Sequence, residues 1–209
     1  MEASAPLAGH IEPEPPTWQP RALWLSARLL CGVVSFYYLS FVFAYFYLRS
    51  LDTNNSWKIG KVHPTIGFGI AIVVCLVLSA VLFRGAATRP TDTFRAGLAA
   101  VVLALVAVIL QFVQYIGLGF GASQGGYAAV FTGWTATYAV FAIPCIYWIE
   151  TQVASVWRAQ REGGIDRQVA EGVPADDVQL MRAGIEACSF FWAFYVAIGV
   201  LAFIILYIV

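Results

Sequence analysis

Between Ala96 and Ile149 the chain runs for fifty-four residues without one charged side chain. As a single helix that run would extend roughly 80 Å, against a bilayer hydrocarbon core of about 30 Å. It must therefore fold back on itself. Gly117–Gly126 is where it can turn: five of these ten residues are glycine, and a helix has little propensity to continue through them. The expectation is a membrane-embedded hairpin with helices at about 96–117 and 127–152. Composition agrees, because a chain of 209 residues that is 60% hydrophobic and 11% charged, with mean hydropathy +0.76, has too little charge to cover a soluble surface.

Three further apolar segments complete the count. Leu29–Leu48 is free of charge and contains most of the aromatic run Ser35–Arg49, in which eight residues are Phe or Tyr. Arg49 closes it where a long cationic side chain can reach the membrane surface. Pro64 suits the first turn of a helix, since its missing N–H is unpaired there in any case. The remaining helices are then expected at about 23–48, 64–83 and 186–209, giving an all-α integral membrane bundle of five transmembrane helices over 23–209. Residues 1–22 read as a flexible proline-rich leader, with five prolines and three glutamates in the first twenty residues.

Charge then sets an orientation. With five spans, nine of the twelve Lys and Arg residues fall on the side of the N-terminus, and only Arg49, Lys58 and Lys61 on the other. The positive-inside rule places the N-terminus in the cytoplasm and the C-terminus outside. A formal net charge of zero, with no basic block, removes nucleic acid as a partner.

The same inventory limits the chemistry. Cys31, Cys75, Cys145 and Cys188 fall one each into separate apolar stretches, and His10 and His63 lie outside them. No ligand set for a buried haem or metal centre follows from these positions, so no cofactor is expected on this chain. Glu150 and Glu186 are the acids closest to the membrane, each at a helix end, where hydration or an ion pair with Arg158 or Arg182 is the simplest role. Gln111 and Gln114 are three apart on one helix face and, with Tyr115, form a patch able to hydrogen-bond a neighbouring helix. Thr132, Thr135, Thr137 and Tyr138 read the same way.

Three stretches together resemble subunit III of the haem–copper oxidases: FAYFYLR at 43–49, GGYAAVFTGWTATY at 125–138, and FFWAFYVAIGVLAFIILYIV at 190–209. Gln114 also falls where that family often carries glutamine. Five helices, a polar loop before the last and an inside-to-outside course match the short bacterial version of the subunit. The departures are specific. Val34 stands where the family usually has a glutamate and Gly117 where it often has an acid; Thr135 and Tyr138 replace its histidines, and Ala193 and Val196 fall on its final-helix histidine and aspartate.

The resemblance implies a non-catalytic subunit of a terminal cytochrome c or quinol oxidase in the plasma membrane of a bacterium. Its partners would be catalytic subunit I, other oxidase subunits and membrane phospholipids, with haem and copper on the catalytic partner. Such subunits stabilise the catalytic chain and its proton uptake, and shelter lipid. No catalytic residue carries over. Arg49, Gln111, Gln114, Tyr115, Tyr138 and Trp192 are the candidates for the subunit or lipid interface, acting through packing and lipid exclusion. Two other readings stay open: a similar accessory of a nitric oxide reductase, and a stand-alone membrane scaffold or transporter.

Overall fold

The charge-free run forms the hairpin that its length requires. In the computed structural model, which describes residues 18–53, 57–58, 63–88, 93–161 and 175–209, helix α3 (Thr93–Ile116) leads through a glycine-rich turn into α4 (Gly126–Arg161). Gly117 N–H closes the last turn of α3 on the carbonyls of Val113 and Gln114. Gly119 and Gly125 then take φ of 65° and 102°, a region that side chains strongly disfavour. The turn depends on glycine at these two positions.

Around the hairpin lie α1 (Trp18–Ser50), α2 (Ile66–Thr88) and α5 (Ala175–Phe203), the last running into a π-helical turn at Ile204–Ile208. All five helices are long and apolar enough to cross a membrane, and the described residues contain no strand. Over the described residues the chain is all-helical, and its five long apolar helices make it a multi-pass membrane protein.

Several helices outrun their apolar windows. The first starts at Trp18 and not near 23, with Pro20 in its opening turn, where proline is tolerated. The second continues past Arg84 to Thr88, the fourth past 152 to Arg161, and the last begins at Ala175, so that Glu186 lies well inside it. Hydropathy marks where lipid ends, whereas a helix ends where its backbone bonding ends, and charged residues are good helix formers in water. Of the leader expected over 1–22, residues 1–17 lie outside the described residues, as do Lys61, Arg89, Asp92 and most of the polar loop before α5.

Helix α5 is the hub, packed on α1, α2 and α4, while α2 and α3 form the most extensive pair. Small residues permit these approaches. Ala100, Ala104 and Ala107 bury one face of α3. A Cβ on Gly199 of α5 would come within 2.5 Å of the Tyr138 hydroxyl of α4. Without a hydrophobic force between helices in lipid, such close packing and interhelical hydrogen bonds hold the bundle together. Helix α4 passes through Pro144 without ending, although Pro144 supplies no N–H to the turn before it.

Candidate functional site

A tyrosine at mid-membrane is costly unless its hydroxyl is bonded, and three of them solve the problem mutually. Tyr138 of α4 donates to the Tyr195 carbonyl at 3.0 Å, and Tyr195 of α5 donates to the Tyr138 carbonyl at 2.7 Å. Their rings stack at 4.5 Å with 15° between planes. Because the Tyr195 proton is committed to that carbonyl, Tyr38 of α1 is the donor in the 3.3 Å contact between the Tyr38 and Tyr195 hydroxyls. Tyr38 and Phe41 stack in turn on Trp134. One aromatic cluster thus joins α1, α4 and α5.

A second polar chain crosses the other side of the hub. Trp192 Nε1 of α5 donates to Ser79 Oγ of α2 at 3.1 Å, and Ser79 donates to the Ala100 carbonyl of α3 at 2.7 Å. Nearer the glycine turn, the Gln114 carboxamide and the Tyr207 hydroxyl exchange hydrogen bonds of 2.7 and 3.0 Å. Gln111 Nε2 donates to Gln114 Oε1 at 3.3 Å. Tyr115 gives its proton to Thr135 Oγ1, since Thr135 is already the donor to the Phe131 carbonyl.

At the C-terminal end of α5 the π-helical turn is held from two sides. Tyr127 donates to the Leu206 carbonyl and Arg49 to the Val209 carbonyl at 3.0 Å. Trp57, from the α1–α2 connection, packs edge-on against both Tyr45 and Tyr127, and its carbonyl accepts the Tyr127 N–H.

An apolar groove of about 350 Å³ opens between α1, α4 and α5. Val34, Tyr37, Phe141, Cys145, Trp148 and Phe191 are among its walls. It has the size and chemistry to receive a lipid chain, with apolar walls and a small number of hydroxyls. A much smaller cavity of about 30 Å³ lies beside Gln111, Trp134, Thr135, Tyr138 and Tyr207, with room for about one water-sized molecule. Trp134 Nε1 and Thr132 Oγ1 are buried without a hydrogen-bond partner in the bundle.

The sequence-derived candidates separate accordingly. Gln111, Gln114, Tyr138 and Trp192 are buried and turned onto helices of this same chain, so they do not form an outer interface. The hydrogen bonds each can make inside the bundle explain this inward placement. Tyr115 is half-buried, and Arg49 is exposed, with its guanidinium also 5.9 Å from the Tyr45 ring centre. Glu150, Arg158, Arg182 and Glu186 are all exposed. No ion pair joins any of the four among the described residues; Arg158 Nε reaches only the Ala154 carbonyl at 3.4 Å. Arg182 and Glu186 stand four apart on α5, yet exposed pairs of this kind gain little and need not close.

Residues that sequence reading passed over are Tyr38, Tyr195, Tyr207, Ser79 and Trp57. A signal was present: tyrosines in charge-free windows require partners. Among the described residues, no three His, Cys, Asp or Glu side chains gather closely enough to hold a metal ion. No protein-family model matches this sequence, and no curated protein matches it.

Proposed function

We propose that this chain is a non-catalytic membrane subunit, of the subunit III type, in a terminal haem–copper oxidase of a bacterial plasma membrane. One observation carries the reading. The three stretches that resemble that family, 43–49, 125–138 and 190–209, lie far apart in sequence and pack directly on one another. Arg49 bonds Val209, Tyr127 bonds Leu206, Phe131 packs against Tyr207, and Tyr138 stacks on Tyr195. These contacts bring all three stretches together along α5 and its π-helical turn.

The role follows from what the bundle offers. Its interior polar groups are neutral hydroxyls, carboxamides and indoles, several of them paired helix to helix (Ser79 with Trp192, Gln114 with Tyr207, Tyr138 with Tyr195), which makes a bundle without a chain of ionisable groups. The groove between α1, α4 and α5 supplies an apolar recess for a phospholipid tail. Docked beside a catalytic subunit, such a body stabilises that subunit through packing and retained lipid and so sustains proton uptake and turnover there. Haem and copper belong to the partner in this reading. The N-terminal end of the bundle faces the cytoplasm, following the excess of basic residues on that side.

The test is a gentle-detergent purification of the tagged full chain from its native membranes, with a reduced-minus-oxidised spectrum and a metal assay. Oxidase haem bands with copper are expected. Haem without copper would shift the assignment to a nitric oxide reductase accessory. A colourless preparation free of partners would refute the respiratory role and leave a scaffold or transporter.

A further inference from the structure

Two polar groups beside one small cavity keep no partner inside the bundle, and they are of opposite kinds. The Trp134 side chain of α4 is wholly buried, and its Nε1–H finds no acceptor. Gln111 of α3 is buried as well. It spends its Nε2 on Gln114 Oε1, and among the described residues its own Oε1 receives no donor. Both side chains line the cavity of about 30 Å³ enclosed between α2, α3, α4 and α5. A donor and an acceptor are thus left over in the core, facing the same space.

Neighbouring bonds bring the two groups to one level. Tyr115 of α3 bonds Thr135 of α4, so the antiparallel hairpin sets Trp134 beside the closing turns of α3. Gln111 leans along α3 toward Gln114, the end of the helix at which the Tyr115 bond forms. Tyr138 brings a third polar atom to the cavity wall. Its hydroxyl proton goes to the Tyr195 carbonyl, and its oxygen keeps a lone pair with which to accept.

We infer that this cavity is the binding site of an ordered water, which accepts from Trp134 Nε1 and donates to Gln111 Oε1 and to the Tyr138 hydroxyl oxygen. Three bonds are the usual complement of a buried water, and the volume exceeds the roughly 10–15 Å³ that one water needs. Other small occupants match the walls less well. An apolar gas would leave the indole and the carboxamide oxygen unpaired in the middle of the membrane. A cation would find no carboxylate among the lining residues and would face the positive end of the indole N–H. An anion would meet a single unspent N–H and the negative end of Gln111. Water alone both donates and accepts. Bound there, it ties α3 to α4 and extends the Gln111–Gln114–Tyr207 network from α5 to Trp134. The site stands whatever complex the chain belongs to.

The experiment is nuclear magnetic resonance of the full chain in deuterated micelles, with isotope labels on the indole nitrogens. Trp134→Phe assigns the Trp134 signal among the seven tryptophans. Cross-relaxation is measured in the rotating frame, where direct contact with water and proton exchange through a hydroxyl differ in sign. A direct contact between the Trp134 indole proton and a long-lived water is expected, and Gln111→Leu, which removes the acceptor, should weaken it several-fold. An indole proton without a water contact, or a contact that keeps its full strength in Gln111→Leu, would overturn the inference. Should Gln111→Leu fail to fold, a high-resolution density map of the unaltered chain decides. A solvent peak within hydrogen-bonding distance of both Trp134 Nε1 and Gln111 Oε1 is expected there; a dry cavity, or a protein acceptor on the indole, refutes the site.

Discussion

Ser79→Ala gives the sharpest test of how the bundle is held. The hydroxyl is fully buried, accepts from Trp192 Nε1 at 3.1 Å and donates to the Ala100 carbonyl at 2.7 Å, tying α2, α5 and α3 at one point. Alanine removes both bonds with little change in volume. The loss at Ala100 is small, because that carbonyl keeps its bond within α3. The loss at Trp192 is larger, since its indole is 1% exposed and has no other acceptor. A buried donor left unpaired costs about 1–3 kcal/mol in general, whereas measured interhelical bonds in membranes average about 0.6 and reach about 1.7 kcal/mol. The expected loss is therefore about 1–2 kcal/mol. The assay is reversible unfolding in mixed micelles, run as a double-mutant cycle with Trp192→Phe and with Leu78→Ala as a lipid-facing control. The cycle should return a coupling of about 0.6–1.7 kcal/mol, because once the indole N–H is gone the serine has only one bond left to lose. A coupling near zero, or a Ser79→Ala loss no larger than that of the control, would refute the reasoning.

Other perturbations probe separate parts of the structure. Gly199→Ala drives a methyl to 2.5 Å from the Tyr138 hydroxyl and 2.8 Å from its ring carbon, and should cost about 1–3 kcal/mol of unfolding stability. Adding Tyr138→Phe relieves only part of that, since the ring carbon stays. Gln114→Leu strands the Tyr207 hydroxyl, with an expected loss of about 1–3 kcal/mol in the same assay, while Arg49→Leu, at an exposed bond, should cost less than about 1 kcal/mol. Val34→Trp fills the apolar groove from α1; native mass spectrometry should then show less retained phospholipid at an unchanged melting temperature. Unchanged lipid content would mean that lipid is held elsewhere.

The number of spans and the hairpin were legible because they depend on length alone. Fifty-four uncharged residues cannot cross a 30 Å layer once, and a glycine-rich decapeptide is the only place inside them to turn. Helix ends were less legible, because Arg84, Glu150 and Glu186 mark the membrane boundary and not the helix boundary. The candidate residues divide in the same way. That Gln114, Tyr115 and Tyr138 could hydrogen-bond neighbouring helices was readable from the sequence; that Trp192 turns inward, and that Gln111 bonds Gln114 on its own helix, was not.

Helicity and the number of bilayer crossings can be read from the chain one segment at a time. In lipid every backbone N–H and C=O must be bonded within its own segment, so each span is a local property of twenty or so consecutive residues. Which helix meets which emerges only in the packed bundle. Hydrocarbon tails are as apolar as leucine, so hydropathy cannot distinguish the face of α1 that meets α5 from the one that meets lipid. That choice fell to residues with no pattern of their own: Gly199 giving room to Tyr138, Ser79 receiving Trp192, and Tyr195 bonding a helix more than fifty residues away in the chain.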